Sequence, residues 1–152
     1  MSDDSVKPSC IFEHRLSQNR ASLLDDFSIP AVFGGLRTHP VQWLVGGSGS
    51  GAPMHFHQDA FNALAVGTKR WVLRPPSEAT LSTEHPLSWL RRNSQQLLAE
   101  GTKSCTQSAG DVLYVPDSWS HLVLNLEESV AVAVEFYPDL EKVAPLRSTG
   151  IS

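Results

Sequence analysis

The stretch GDVLYVPDSWSHLVLN, residues 110–125, decides how this chain folds. Gly110 opens it, Pro116 closes a β-type run, and the turn DSWS leads into HLVLNL, an alternating run that begins at His121. Glycine and proline at the two ends of a short apolar run mark a strand. A histidine that opens a strand straight after a turn would carry its imidazole at the mouth of whatever the sheet encloses.

Upstream, MHFHQD (54–59) alternates, with Met54 and Phe56 on one face and His55, His57 and Asp59 on the other. In a strand, residues i and i+2 point the same way, roughly 6.5 Å apart. His55 and His57 can therefore converge on one ion, provided a third ligand comes from another strand. His121 is the best candidate for that third ligand, and three ligands on one face of an ion leave positions open for other molecules. Asp59 is a possible fourth ligand or an acceptor for a histidine N–H; a turn aspartate is the plainer reading. His14, His39 and His85 fall in an arm, a loop and a helix start, and read as ordinary surface residues.

The rest of the chain is short strands with Gly/Pro punctuation. VQWLV (41–45) is β-type, GGSGSGAP (46–53) reads as a flexible connection, and NALAVGTKRWVLRPP (62–76) reads as strands 62–66 and 69–74 around Gly67. HPLSWLRRNSQQLLAE (85–100) is the one good helix candidate, with Pro86 in its first turn and Gly101 as a stop. Strands at 110–116, 121–126 and 129–137 follow. This pattern predicts an all-β barrel or sandwich with one inserted helix. Residues 1–20 read as a polar arm, 21–140 as the barrel domain and 141–152 as a tail.

Composition narrows the function. At 152 residues and 41% apolar, the chain suits one domain with a real core. A net charge of -4 and two isolated basic pairs, Lys69-Arg70 and Arg91-Arg92, exclude a nucleic-acid groove. No apolar run is long enough to span a bilayer. The polar, acidic start is unlike a signal peptide, so the default compartment is cytoplasm or nucleus. Cys10 and Cys105 lie far apart without a Cys-x-x-Cys pattern and read as free thiols. The glycine run 46–51 has no helix or lysine after it, which argues against a phosphate loop.

Gly49, His55 and His57, followed by Gly110, Pro116, His121 and Asn125, resemble the two motifs of the cupin superfamily in spacing. NALAVGTKRWVLRPP and GDVLYVPDSWSHLVLNL resemble segments of its jumonji-C (JmjC) branch over about residues 36–137. The inserted helix and the histidine in place of an acid look most like the jumonji-domain-containing protein 8 type of that branch. The chain departs from these patterns in four places: Ser118 occupies a glycine position of the second motif, the Glu that follows the His pair in many cupins is missing with Asn62 in that region, His57 falls where hydroxylases of the branch have Asp or Glu, and the middle of the last strand lacks the hydroxyl residue that such hydroxylases often place there.

The resemblance implies a double-stranded β-helix holding Fe(II) through His55, His57 and His121, with Zn, Ni or Cu as other metals three imidazoles suit. It implies that Lys69 pairs with the distal carboxylate of 2-oxoglutarate and that Asn62 lines the co-substrate pocket. The implied reaction is oxidative hydroxylation of a protein side chain. Two rivals accompany it: a catalytically weak or inactive metal-binding module acting through protein partners, and a 2-oxoglutarate-independent three-His dioxygenase. The related eukaryotic type is associated with the secretory pathway, so a truncated N-terminus would place the chain in that lumen.

From the residues alone, Lys69 follows an apolar run and needs a partner if it points inward. Ser129, Ala131, Ala133 and Glu135 share one face of the last strand, with Glu135 expected near the rim because it would compete with an anionic co-substrate. Tyr114 and Trp119 could line the cavity mouth or serve as core and rim aromatics.

Overall fold

A computed structural model describes residues 10–13, 15 and 20–137. Its strands are β1 (Cys10–Glu13), β2 (Arg37–Thr38), β3 (Gln42–Gly46), β4 (Gly51–His55), β5 (Ala60–Val66) and β6 (Thr68–Arg74). After helix α1 (Pro86–Arg92) come β7 (Lys103–Ser108), β8 (Val112–Val115), β9 (Ser120–Asn125) and β10 (Ser129–Tyr137). One antiparallel sheet runs β1-β3-β10-β5-β8, with β2 also on β10; the other runs β4-β9-β6-β7. The two sheets enclose a cavity lined from both, which is the double-stranded β-helix expected.

The alternation that marks each strand also sorts its side chains. On β6, Lys69, Trp71 and Leu73 face the interior, and Trp71 joins Ala52, Leu73, Val115 and Val123 in one buried cluster. The opposite face of the same sheet supplies Met54, Val72 and Leu122, each 0% exposed, against Trp89 of α1. Full burial of such side chains contributes about 1.5–3 kcal/mol each, so α1 is seated by its tryptophan. On the six-stranded sheet, Phe61, Val134 and Phe136 pack with Phe27 and Phe33.

Tight pairing of β4 with β9 depends on Gly51. A Cβ there would sit 2.0 Å from the Val123 carbonyl oxygen, a clash no side chain survives. The glycine-rich segment is therefore part of the sheet at 51–53, not wholly a flexible connection.

The structure corrects four further expectations. The helix is seven residues long and gives way to a 3-10 turn at Ser94–Leu98. Asn93 ends it: its Nδ2 donates to the Trp89 carbonyl at 2.9 Å and its Oδ1 receives Gln96 Nε2 at 2.9 Å, local bonds that compete with helix propagation. Within the stretch read as a polar arm, Cys10–Glu13 is strand β1, paired with β3. Strand β7 was not expected; only Gln107 of its six residues is buried, so it carries no apolar alternation, and it sits polar and Lys-bearing at a sheet edge. Finally, β4 ends at His55, so MHFHQD is not one continuous strand. Residue 14 and the segments 1–9, 16–19 and 138–152, with the reading of His14 and of the tail, lie outside the described residues.

Candidate metal centre

His55 and His121 are register partners at the end of the β4–β9 pair, which brings their ring centroids to 4.2 Å. His57 reaches the same point from the loop after β4, its centroid 5.5 Å from that of His55 and 4.6 Å from that of His121. One ring nitrogen from each of the three lies within 4.8 Å of the other two, a spacing one ion can bridge.

The tautomers favour such an ion. His55 Nδ1 is 2.7 Å from the Pro53 carbonyl oxygen, His57 Nδ1 is 2.7 Å from that of Gln58, and His121 Nδ1 is 3.0 Å from that of Trp119. A carbonyl oxygen only accepts, so each Nδ1 carries its proton and donates. That leaves Nε2 with its lone pair on every ring, the arrangement that fixes ligand histidines in metal sites. Burial disfavours their cationic forms: it lowers the pKa of His55 and, with the neighbouring His55 adding to it, pushes that of His121 down to about 3. Both imidazoles stay neutral and available as ligands at ordinary pH.

Asp59 does not join this group. Its Oδ1 accepts from the Tyr114 hydroxyl at 2.5 Å and from the Asp117 N–H at 3.0 Å. Its own carbonyl accepts from the Phe136 N–H at 2.8 Å, while the Ser118 N–H donates to the His57 carbonyl at 3.0 Å. The aspartate thus ties the His57 loop to the turn before β9 and to β10. Tyr114 packs on Phe33 and Phe136, and neither it nor Trp119 lines the cavity. Ser118 has a φ of 62°, a left-handed backbone that glycine adopts without strain, which accounts for the motif's preference at that position.

Behind the histidines lies a cavity of about 380 Å³, within the range of small-ligand sites. Lys69 faces into it and is 3% exposed, its Nζ donating to Asn125 Oδ1 at 2.9 Å. Asn125 is held in turn by donating to Ser50 Oγ at 2.9 Å. An ammonium has three donors, so Lys69 keeps capacity for an anion, and burial lowers its pKa. Asn62 also lines the cavity with its amide oxygen buried and without a hydrogen-bond partner among the described residues. Asn62, Lys69 and the three histidines therefore share one enclosure. Sequence reasoning gave no role to Asn125, Cys10 or Gln42, all of which line it too. The motif spacing that singled out Asn125 was the available signal; Cys10 had none. Both cysteines are free thiols, and no helix among the described residues is long and apolar enough to cross a membrane.

Comparison with known proteins agrees with this fold. The cupin-like domain family profile matches residues 2–141. JmjC domain-containing protein 8 of Homo sapiens is 40% identical over 119 residues, covering 74% of this chain and 44% of that protein. The bifunctional arginine demethylase and lysyl-hydroxylase psr-1 of Caenorhabditis elegans is 29% identical over 161 residues, covering 86% and 40%. The solved structure of YcfD, a ribosomal oxygenase from Escherichia coli in complex with cobalt and succinic acid, superposes with a TM-score of 0.55 at 18% identity, over 90% of this chain and 34% of that one. The chain spans less than half the length of these proteins.

Proposed function

The chain belongs to the cupin-like domain family in its JmjC form, and from that premise we propose that it is a metal-dependent 2-oxoglutarate oxygenase domain acting on a protein side chain. One observation carries the reading: three imidazoles with free Nε2 atoms and a buried lysine with donors to share line one cavity. The first group suits a divalent ion and the second a carboxylate, which together are the two ends of a metal-chelated dicarboxylate. The names of psr-1 and YcfD, an arginine demethylase and lysyl-hydroxylase and a ribosomal oxygenase, support a protein substrate.

His55, His57 and His121 would hold the ion, iron(II) first, through Nε2, each ring kept in its tautomer by a backbone carbonyl. Iron bound there would supply oxygen activation coupled to decarboxylation of 2-oxoglutarate. The protein's part is positioning. Lys69, steadied by Asn125, would receive the distal carboxylate, and Asn62 would turn its amide toward the same ligand. Trp71, its indole N–H donated to Gln107 Oε1 at 2.9 Å, forms a rigid apolar wall that excludes water from the ligand.

Metal analysis of the purified protein, with succinate release measured in the presence of Fe(II) and 2-oxoglutarate, tests the reading. One ion per chain and succinate that disappears in Lys69→Ala are expected. A metal-free protein, or turnover indifferent to Lys69→Ala, overturns it. A second reading is favoured by the engagement of Asp59 elsewhere, which leaves an all-imidazole donor set. It is a metal-binding module without oxygenase turnover, or a three-His dioxygenase independent of 2-oxoglutarate; metal without 2-oxoglutarate binding would select it.

A further inference from the structure

Three neutral imidazoles leave a divalent ion without the negative charge that a ligand carboxylate brings. Asp59 does not supply it from within the cavity: it is not among the lining residues or the clustered donor atoms, and its Oδ1 is turned to Tyr114 and Asp117. Among the described residues, one acid lines the cavity. Glu135 of β10 lines it together with all three histidines. Its register partner is Ala60 at the start of β5, and the next residue, Phe136, is hydrogen-bonded to Asp59, two residues beyond His57. The sheet therefore delivers Glu135 beside the histidine loop. Gln42 of β3 donates to Glu135 Oε1 at 3.1 Å, and Oε2 makes no hydrogen bond to a described residue. Glu135 is half-buried, and its unengaged oxygen is open to a positive charge placed among the histidines that line the same cavity.

Lys69 does not fill that role. It pairs in register with Asn125, whereas His121 pairs with Leu73, four residues further along β6. At about 3.3 Å per residue the lysine is at the far end of the strand from the histidines. The cavity is thus bipolar, with a cation at one end and an acid at the metal end.

We infer that Glu135 is the charge-compensating carboxylate of the three-histidine centre, acting on a bound divalent cation from the cavity wall and not as one of its three imidazole ligands. The inference rests on the proposed metal site. It also meets the charge balance of that reading: ion and Lys69 against a dicarboxylate and Glu135 leave the interior neutral. A carboxylate at the position of His57 would make Glu135 surplus.

That redundancy gives the test. Affinities for Zn(II) and Co(II) are measured by chelator competition on wild type, Glu135→Gln, Glu135→Asp, His57→Asp and the His57→Asp/Glu135→Gln double variant. Melting of the metal-free forms controls for folding. Glu135→Gln is expected to weaken binding about 10- to 100-fold, the usual effect of losing a group behind the ligands. Glu135→Asp, which keeps the charge, should stay within a few-fold of wild type, and Glu135→Gln should cost little once His57 is Asp. Wild-type affinity in Glu135→Gln, or the same loss in both backgrounds, overturns the inference and leaves the metal site standing. A wild-type protein that binds neither ion overturns both.

Discussion

His55 and His121 face each other as register partners across β4 and β9, with ring centroids 4.2 Å apart. A single antiparallel pairing thus fixes two of the three imidazoles. An ion that binds only the folded chain stabilises it by about 2.7 kcal/mol at a hundredfold excess over Kd, or about 5–10 °C in melting temperature for a chain of this size. Thermal melts with Zn(II) or Co(II) should show that rise and EDTA should remove it. His121→Ala should abolish the rise and His57→Ala should reduce it. A full rise in His121→Ala would place the ion elsewhere.

Acid should weaken the metal-free protein in a window set by the buried histidines. His121 is held down to about 3 by burial and by its neighbour His55, and burial lowers His55 as well. Unfolded histidines titrate near 6.5. Between these values the unfolded chain binds protons that the folded chain refuses, so stability rises with pH through the window and falls on acidification. One such group costs about 2 kcal/mol between pH 6.5 and 5, above most carboxylate titration. Urea unfolding at pH 7 and pH 5 should show a larger loss in wild type than in His121→Asn. Equal losses would mean that His121 titrates normally in the fold.

Lys69 separates ligand binding from stability. Its ammonium is buried with one hydrogen bond to a described residue, Asn125, and burial works against its charged form. Lys69→Met keeps much of the side-chain volume and removes a charge that is costly to bury, so the unliganded variant should melt no lower than wild type. The same variant should lose the charge-assisted bond to the distal carboxylate, about 1.5–3 kcal/mol, and with it roughly 10- to 100-fold in 2-oxoglutarate affinity on the Zn-loaded protein, read by ligand-observed NMR. An early melt with unchanged affinity would make Lys69 a structural residue.

What the sequence disclosed follows from what alternation and spacing can encode. His121 after a turn and His55 in an alternating run were legible because strand geometry places both without reference to any partner. The strands rich in Val, Leu and Ala were legible for the same reason. Strand β7 was not, because an edge strand with one buried residue in six has no apolar period. His57 clusters with the other two histidines on a support other than the one expected: β4 stops at His55 and the ring arrives from a loop. Glu135 was expected near the rim from its charge, and its place on the cavity wall at the histidine end follows from the β10 register with β5. The pairing of Asp59 with Tyr114 joins residues 55 apart in sequence, a contact no local pattern announces.

That pairing yields the last prediction. His57 has no strand to hold it, so its position depends on the bonds that Asp59 makes to Tyr114, Asp117 and Phe136 and on the Ser118 N–H at its own carbonyl. Asp59→Ala should therefore lower metal affinity about tenfold while leaving the β4–β9 pair, and with it His55 and His121, in place. Because Asp59 acts through His57, adding Asp59→Ala to His57→Ala should cost nothing more. A spectroscopic readout reports the contact independently of metal. The bond to Asp59 is the main cause that raises the Tyr114 phenol to about 12, so ultraviolet titration should show a tyrosine step there that returns toward 10 in Asp59→Ala. If the step returns but metal affinity holds in Asp59→Ala, the loop positions His57 without help from its aspartate.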